Sequence, residues 1–166
     1  MRIVELDARG VDEHIDELAQ LLVEAHAAGM GLGLAAPLDA VGAYRETAAR
    51  LEPGERILLA ALEDGAVVGA VQLDRAGGNG RHRAEVRRLA VREDRRGTGI
   101  GRALMEAVVE HARGLGLGLL WLTTHEGTNA DRVYARLGWT RSGVIPKWGE
   151  LPDGELAANA FYFLEL

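Results

Sequence analysis

Apolar and polar positions change period several times along this chain, and each change marks an element. Positions 2–6 alternate and then meet Asp7-Ala8-Arg9-Gly10, which predicts a short strand followed by a turn. Val11, Ile15, Leu18, Leu22 and Ala25 recur at helical spacing, so one helix with a buried face is expected, ending near Gly29. A second helix is expected over 38–51, closed by Glu52-Pro53-Gly54. Two apolar, partly β-branched runs at 57–62 and 66–73 flank Glu63-Asp64-Gly65, and Asp-Gly between such runs predicts a hairpin. A glycine-dense connection then leads into a third neighbouring strand at 84–91.

The period turns helical again from Gly99. Ile100, Ala103, Leu104, Ala107, Val108 and Leu115 share one side, and Arg102, Glu106, Glu110 and Arg113 the other. His111 falls on the apolar side and reads as a hydrogen-bonded core residue. A buried strand over 117–124, a short helix over 129–137 and strands at 139–145 and 160–166 complete the chain, with 146–154 as a long turn-rich loop. The order β-α-α-β-β-β-α-β-α-β-β implies an α/β fold. We expect a single domain spanning 1–166, with a mixed, mainly antiparallel sheet flanked by about four helices. The step from 84–91 through the central helix to 117–124 should be a right-handed parallel crossover.

The candidate chemistry lies where that crossover begins. Arg96-Gly97-Thr98-Gly99-Ile100-Gly101 places glycines at alternate positions just as a helix starts, so backbone N–H groups with a partial positive charge face outward. Such a loop suits a pyrophosphate. It is neither a dinucleotide fingerprint, which needs G-x-G-x-x-G at the end of a strand, nor a P-loop, which needs Gly-Lys-Ser/Thr. The plainer alternative is that the glycines only begin a helix. The apolar loop Gly29-Met30-Gly31-Leu32-Gly33 with Leu34 and Pro37 has two readings as well, packing against the core or forming a wall of a substrate pocket.

Composition narrows the classes. With 48% hydrophobic residues in 166, one compact core is affordable. The balance of 19 basic and 25 acidic residues, net −6, argues against general nucleic-acid binding and is compatible with a cationic acceptor. Cysteine is absent, which excludes disulfides, Cys-based metal sites and an acyl-cysteine intermediate. His14, His26, His82, His111 and His125 show no ligand spacing, so no metal is expected. The opening MRIVELD has no basic segment ahead of a long apolar one, and no run reaches membrane-spanning length. A cytoplasmic protein without a membrane partner is therefore expected.

RRLAVREDRRGTGIGRALM resembles the acyl-CoA-binding motif of the GNAT superfamily of N-acetyltransferases, Arg/Gln-x-x-Gly-x-Gly/Ala, through Arg96, Gly99 and Gly101 with Leu89-Ala90-Val91 as the preceding strand. ADRVYARLGW at 130–139 resembles the superfamily's Ala-x-x-x-Tyr-x-x-x-Gly-Phe/Trp segment. A narrower similarity is to acetyltransferases of the tabtoxin-resistance type, carried by GMGLGLAAPL, HRAEVRRLAV, GVIPKW, PDG and FYF. It implies acetyl-CoA as co-substrate and a small amino-acid-like or antibiotic-like amine as acceptor. A protein or peptide N-acetyltransferase, or a non-catalytic acyl-CoA-binding module, is the alternative.

On this reading, N–H groups from Gly97, Thr98, Gly99, Ile100 and Gly101 hold the CoA pyrophosphate together with the guanidinium of Arg96, leaving Arg95 or Arg102 for other phosphate charge. Leu89, Ala90 and Val91 pair with the pantetheine arm through main-chain groups and polarise the thioester carbonyl. Arg87 and Arg88 are sent to opposite sides by strand alternation. Tyr134 stands at the motif tyrosine, either to protonate the departing thiolate or only to hydrogen-bond the cofactor. Related enzymes often carry Asp-Thr at the end of the strand before the tyrosine helix, where this chain has Thr123-Thr124, and Thr is no base near neutral pH. Glu85 is then the candidate base, with a salt bridge to Arg83 or Arg87 as its other reading. Leu34, Pro37 and Trp148 are expected to line the acceptor pocket. Trp139, Trp148 and Phe161-Tyr162-Phe163 form either core and pocket lining or the contact of a homodimer.

Overall fold

The computed structural model describes residues 1–30, 32–34, 38–51 and 54–166. Among these residues, seven strands form one sheet in the order β1-β2-β3-β4-β5-β7-β6. The first four, β1 (Arg2–Leu6), β2 (Arg56–Glu63), β3 (Ala66–Arg75) and β4 (Arg83–Val91), are antiparallel neighbours. β5 (Leu119–His125) is parallel to β4, while β7 (Leu156–Glu165) runs antiparallel to β5 and to β6 (Thr140–Glu150). The sheet is thus mixed and mainly antiparallel.

Helices cover both faces. Against one lie α1 (Ala8–Glu13), α2 (Ile15–Ala27) and α3 (Ala40–Ala48), burying Leu18, Leu22 and Tyr44 on Leu58, Ala60, Ala70 and Ala90. Against the other lie α4 (Ile100–Gly114) and α5 (Asn129–Arg136), where Ile100, Leu104 and Tyr134 meet Leu59, Val71, Val86 and Leu122. Two cores arise because β2 and β3 are apolar on both faces, as strands covered by helices on both sides must be.

Several expectations from sequence change here. Residues 7–10 do not form a turn, because the Asp7 carboxylate accepts the Gly10 N–H at 2.7 Å and caps a helix. The first helix is broken at His14, so among the described residues five α-helices flank the sheet instead of about four. The second helix is shorter than 38–51, starting where Asp39 caps Gly42. The stretch 146–154 is mostly strand, since β6 continues to Glu150 through a bulge between Ile145 and Gly149, with Lys147 at φ 56°. His111 pairs with Glu5 at 3.1 Å and stays partly exposed, so it joins α4 to β1 at the margin of the core. The hairpin at Asp64-Gly65 is present, with φ of 50° and 86°.

Two irregularities shape the site. β4 gains a residue between its Ala90 and Arg87 pairings, and Arg88 takes φ 52° there. That bulge restores Leu89 and Val91 to the α4 face and sends Arg88 toward α3, where it donates to the Ala43 carbonyl at 3.2 Å and Thr47 Oγ1 at 2.8 Å. Arg87 reaches Asp74 on the same face at 3.5 Å, so the two arginines lie on one side and not on opposite sides. The second irregularity is that β4 and β5 pair only over Arg83–Glu85 and Leu119–Trp121. Beyond Glu85 the two strands part.

Candidate active site

Where β4 and β5 separate, the β5-facing edge of β4 from Val86 onward has no strand partner among the described residues. A cleft of about 320 Å³ opens there, with Glu85, Arg88 and Leu89 on the β4 wall, Thr123 and Thr124 on the β5 wall, and Tyr134 from α5. A second hollow of about 260 Å³ continues from it, sharing Met30, Leu32, Thr123 and Trp148 and adding Leu34, His125 and Asn159. Leu34 and Trp148 therefore line the same hollow, while Pro37 lies outside the described residues. Trp148 is 53% exposed, with its ring edge-on to Phe161 at 5.0 Å. In the loop after α2, Leu32 is buried in the α1–α3 core, as the packing reading expects, and also borders the cleft.

Just past the end of β4, α4 begins. Gly97 and Gly99 have φ of 80° and 94°, which the turn itself requires of glycine. Gly101 is different: its φ is ordinary, and an added Cβ would meet only Val91 Cγ2 at 3.6 Å. The N–H groups of Gly97, Gly99, Ile100, Gly101 and Arg102 find no acceptor among the described residues. Thr98 is engaged, its N–H and hydroxyl both turned back to the Arg95 carbonyl. Arg96 donates Nε to the Val91 carbonyl at 3.1 Å, tying the loop to β4, and its Nη2 is buried without a partner. Open N–H groups, an orphaned guanidinium nitrogen and a glycine with room beside it fit a phosphate-bearing ligand.

The neighbouring arginines are committed elsewhere. Arg95 holds Glu63 at 3.0 Å and Asp94 at 3.1 Å, and Arg102 holds Glu106 at 2.7 Å on an exposed helix face. Leu89 and Val91 pack on the α4 side, whereas the Ala90 side chain is buried on the α2 side.

Tyr134 is only 8% exposed, packed on Trp139 at 6.2 Å and Tyr162 at 5.8 Å between ring centroids. Burial pushes its phenol up to about 12, so it keeps its proton across the neutral range. Its hydroxyl has no protein partner among the described residues and is not sealed from the cleft. The helix carrying it is pinned by Tyr162, whose hydroxyl donates to Asp131 Oδ1 at 2.6 Å. Glu85 makes the ion pair of its second reading, 3.5 Å from Arg87 Nε, and also borders the cleft, while Arg83 is not among its ion-pair partners among the described residues. Burial raises its carboxyl above the usual range, Arg87 opposes that rise, and Asp74 adds to it.

Two polar residues given no role from the sequence line the second hollow, His125 on β5 and Asn159 on β7. His125 is 6% exposed and Asn159 is 5% exposed. His125 Nδ1 lies 2.8 Å from Asn159 Oδ1, and Asn159 Nδ2 donates to Thr123 Oγ1 at 3.2 Å. Strand alternation was the available signal: residue 125 shares the face of residue 123. Among the described residues no group of three or more His, Cys, Asp or Glu is arranged to hold a metal, and no helix is long and apolar enough to cross a membrane.

A model of the acetyltransferase (GNAT) family matches residues 36–139. An L-methionine sulfoximine/L-methionine sulfone acetyltransferase of Pseudomonas paraeruginosa is 38% identical over 61 residues, a match that spans 36% of this chain and only 36% of that relative's length. Among solved structures, a ribosomal-protein-alanine N-acetyltransferase from Brucella melitensis superposes with a TM-score of 0.84 at 22% identity, covering 100% of both chains. The structure of yncA from Salmonella typhimurium, solved with acetyl-CoA as its cofactor, gives 0.80 at 21% identity over 100% of this chain and 94% of that one. At such identities the likeness is one of fold.

Proposed function

The chain belongs to the acetyltransferase (GNAT) family, and on that premise we propose that it acetylates the primary amine of a small, amino-acid-like molecule by direct attack in a ternary complex. The observation that carries this reading is the parting of β4 from β5 beside a helix start whose N–H groups are unpaired. Acetyl-CoA bound there supplies an acetyl thioester, and its transfer to an ammonium yields amide, CoA thiol and one proton. Gly97, Gly99, Ile100 and Gly101 would hold the pyrophosphate through main-chain N–H groups, with Arg96 beside them. The free edge of Leu89, Ala90 and Val91 would take the pantetheine amides as an added strand.

Two protons must leave an ammonium nitrogen, one before attack and one as the C–N bond closes. We assign the second to Glu85, whose raised carboxyl makes it a better acceptor than an ordinary surface carboxylate. Glu85→Gln is expected to lower kcat about 100-fold without changing CoA affinity. The part of the acid limb set by this carboxyl, which burial raises above the usual range, should be lost with it. Wild-type kcat at every pH would remove Glu85 from the reaction.

The size of the second hollow, about 260 Å³, supports a small acceptor, as does a partial relative that acetylates methionine sulfoximine and sulfone. Trp148→Ala should raise the amine KM about tenfold and leave acetyl-CoA binding intact, as measured by steady-state kinetics beside calorimetry. The deciding experiment is CoA release by the purified chain with acetyl-CoA and a panel of amines. The panel would hold L-methionine sulfone, L-methionine sulfoximine and a peptide with N-terminal alanine. Turnover of the sulfone supports the small-acceptor reading, turnover of the peptide alone replaces it with a peptide acetyltransferase, and CoA binding without turnover points to a binding module.

A further inference from the structure

We propose that His125 removes the first proton, the one that must leave the acceptor's ammonium before its nitrogen can attack; this rests on the acetyl-transfer reading above. Three observations converge on it. Asn159 directs Nδ2 to Thr123 and Oδ1 to His125, which places the imidazole proton on Nδ1 and leaves the lone pair on Nε2. That Nε2 has no protein partner among the described residues and is not sealed from solvent, although the ring as a whole is buried. The β6 backbone packs against the ring and its partner, so close that a Cβ on Gly149 would fall 2.8 Å from His125 Cε1 and 3.1 Å from Asn159 Oδ1. His125 lines the hollow beside Trp148 and Leu34, and Nε2 is its ring nitrogen without a protein partner among the described residues.

The chemistry needs such a group. An aliphatic ammonium is mostly charged at neutral pH and has no lone pair, and imidazole is the side chain suited to take a proton in that range. The proton moves from the ammonium to Nε2 and then to water, while the nitrogen keeps the electron pair that forms the amide bond. Glu85, on the β4 wall, is left for the proton released as that bond closes. Among the described residues, the other charged or titratable groups lining the hollow with His125 are His26 from α2 and Glu150 from β6. Glu126, its chain neighbour, is held by Arg141 at 2.7 Å. Asn159 acts as a positioning residue, through the ring.

The test uses the full chain with acetyl-CoA and L-methionine sulfone. His125→Gln is expected to lower kcat about 100-fold near about pH 7, with the loss shrinking as pH rises past the amine's own pKa. CoA affinity should not change. Asn159→Ala should show the same pH trend with a smaller loss, about tenfold. A His125→Gln kcat within about twofold of wild type near neutrality overturns the assignment, and so does a loss of equal size at every pH, which a purely structural role would produce. Imidazole nitrogen resonances of the wild-type chain, assigned by their absence from His125→Gln, provide a readout that needs no turnover. A neutral ring protonated on Nδ1 supports the assignment; one protonated on Nε2 overturns it. If the wild-type chain releases no CoA with the sulfone, the acceptor reading is what fails, and the nitrogen resonances still decide whether Nε2 is free to accept.

Discussion

Gly101→Val is expected to cost at least about 100-fold in CoA affinity while leaving the fold and its melting temperature nearly unchanged. The separation of the two effects follows from the geometry. At Gly97 and Gly99 any side chain opposes a positive φ, so substitution there weakens the loop with or without ligand, by about 1–2 kcal/mol. At Gly101 the backbone is helical and a Cβ would make only an ordinary contact with Val91, so nothing in the protein itself demands glycine. The branched side chain would instead stand over the open N–H groups of the first turn. Hydrogen bonds to charged groups are each worth about 1.5–3 kcal/mol, and losing one or two accounts for the expected drop. Calorimetry with CoA beside a thermal melt measures both quantities. Unchanged affinity in the folded variant would remove the α4 start from the site.

Tyr134→Phe should reduce kcat about 10- to 100-fold with little change in the KM for acetyl-CoA. The reasoning turns on a mismatch. A phenol at about 12 facing a thiolate of about 8.5 would give up its proton only uphill, by about 5 kcal/mol. Tyr134 is therefore better suited to donating a hydrogen bond toward the sulfur as charge develops there than to completing the transfer. Such a bond is made late and lost with the hydroxyl, which is the pattern of a kcat effect. The ring stays wedged between Trp139 and Tyr162 in the variant, so packing is preserved. Steady-state kinetics decide the matter: equal kcat in the two proteins would reduce Tyr134 to packing.

Much of this could be read from residue order. The strand, glycine loop and helix around Arg96 to Gly101 were visible because local rules fix them, turn glycines and helical periodicity alike. The same holds for the Asp64-Gly65 hairpin. What escaped was long-range. Nothing in HRAEVRRLAV announces that Arg88 adopts φ 52°, and that single extra residue overturned the strict alternation used to separate Arg87 from Arg88. The commitments of Arg95 and Arg102 to Glu63 and Glu106 depend on partners that spacing alone does not choose. Attention at the end of β5 stopped at Thr123-Thr124, although His125 shares the face of Thr123. Its partner Asn159 lies 34 positions further on and is matched to it only by the β5–β7 register. The strand at 146–150 was hidden by Pro146 and the bulge, which mimic a turn.

The short union of β4 with β5 also bears on how this molecule assembles. Strands β1 to β4 follow one another across the sheet, and β5 to β7 form a second group of close neighbours, so most pairings are between adjacent or nearly adjacent segments. Of these, the β2–β3, β3–β4 and β6–β7 pairings are local in sequence and form early and quickly. The last join, three residue pairs strapped by α4, is the most weakly zipped seam of the sheet. A ligand laid along it touches both halves, so its binding energy also holds them together. The substrate-loaded chain then resists partial opening more than the free chain does.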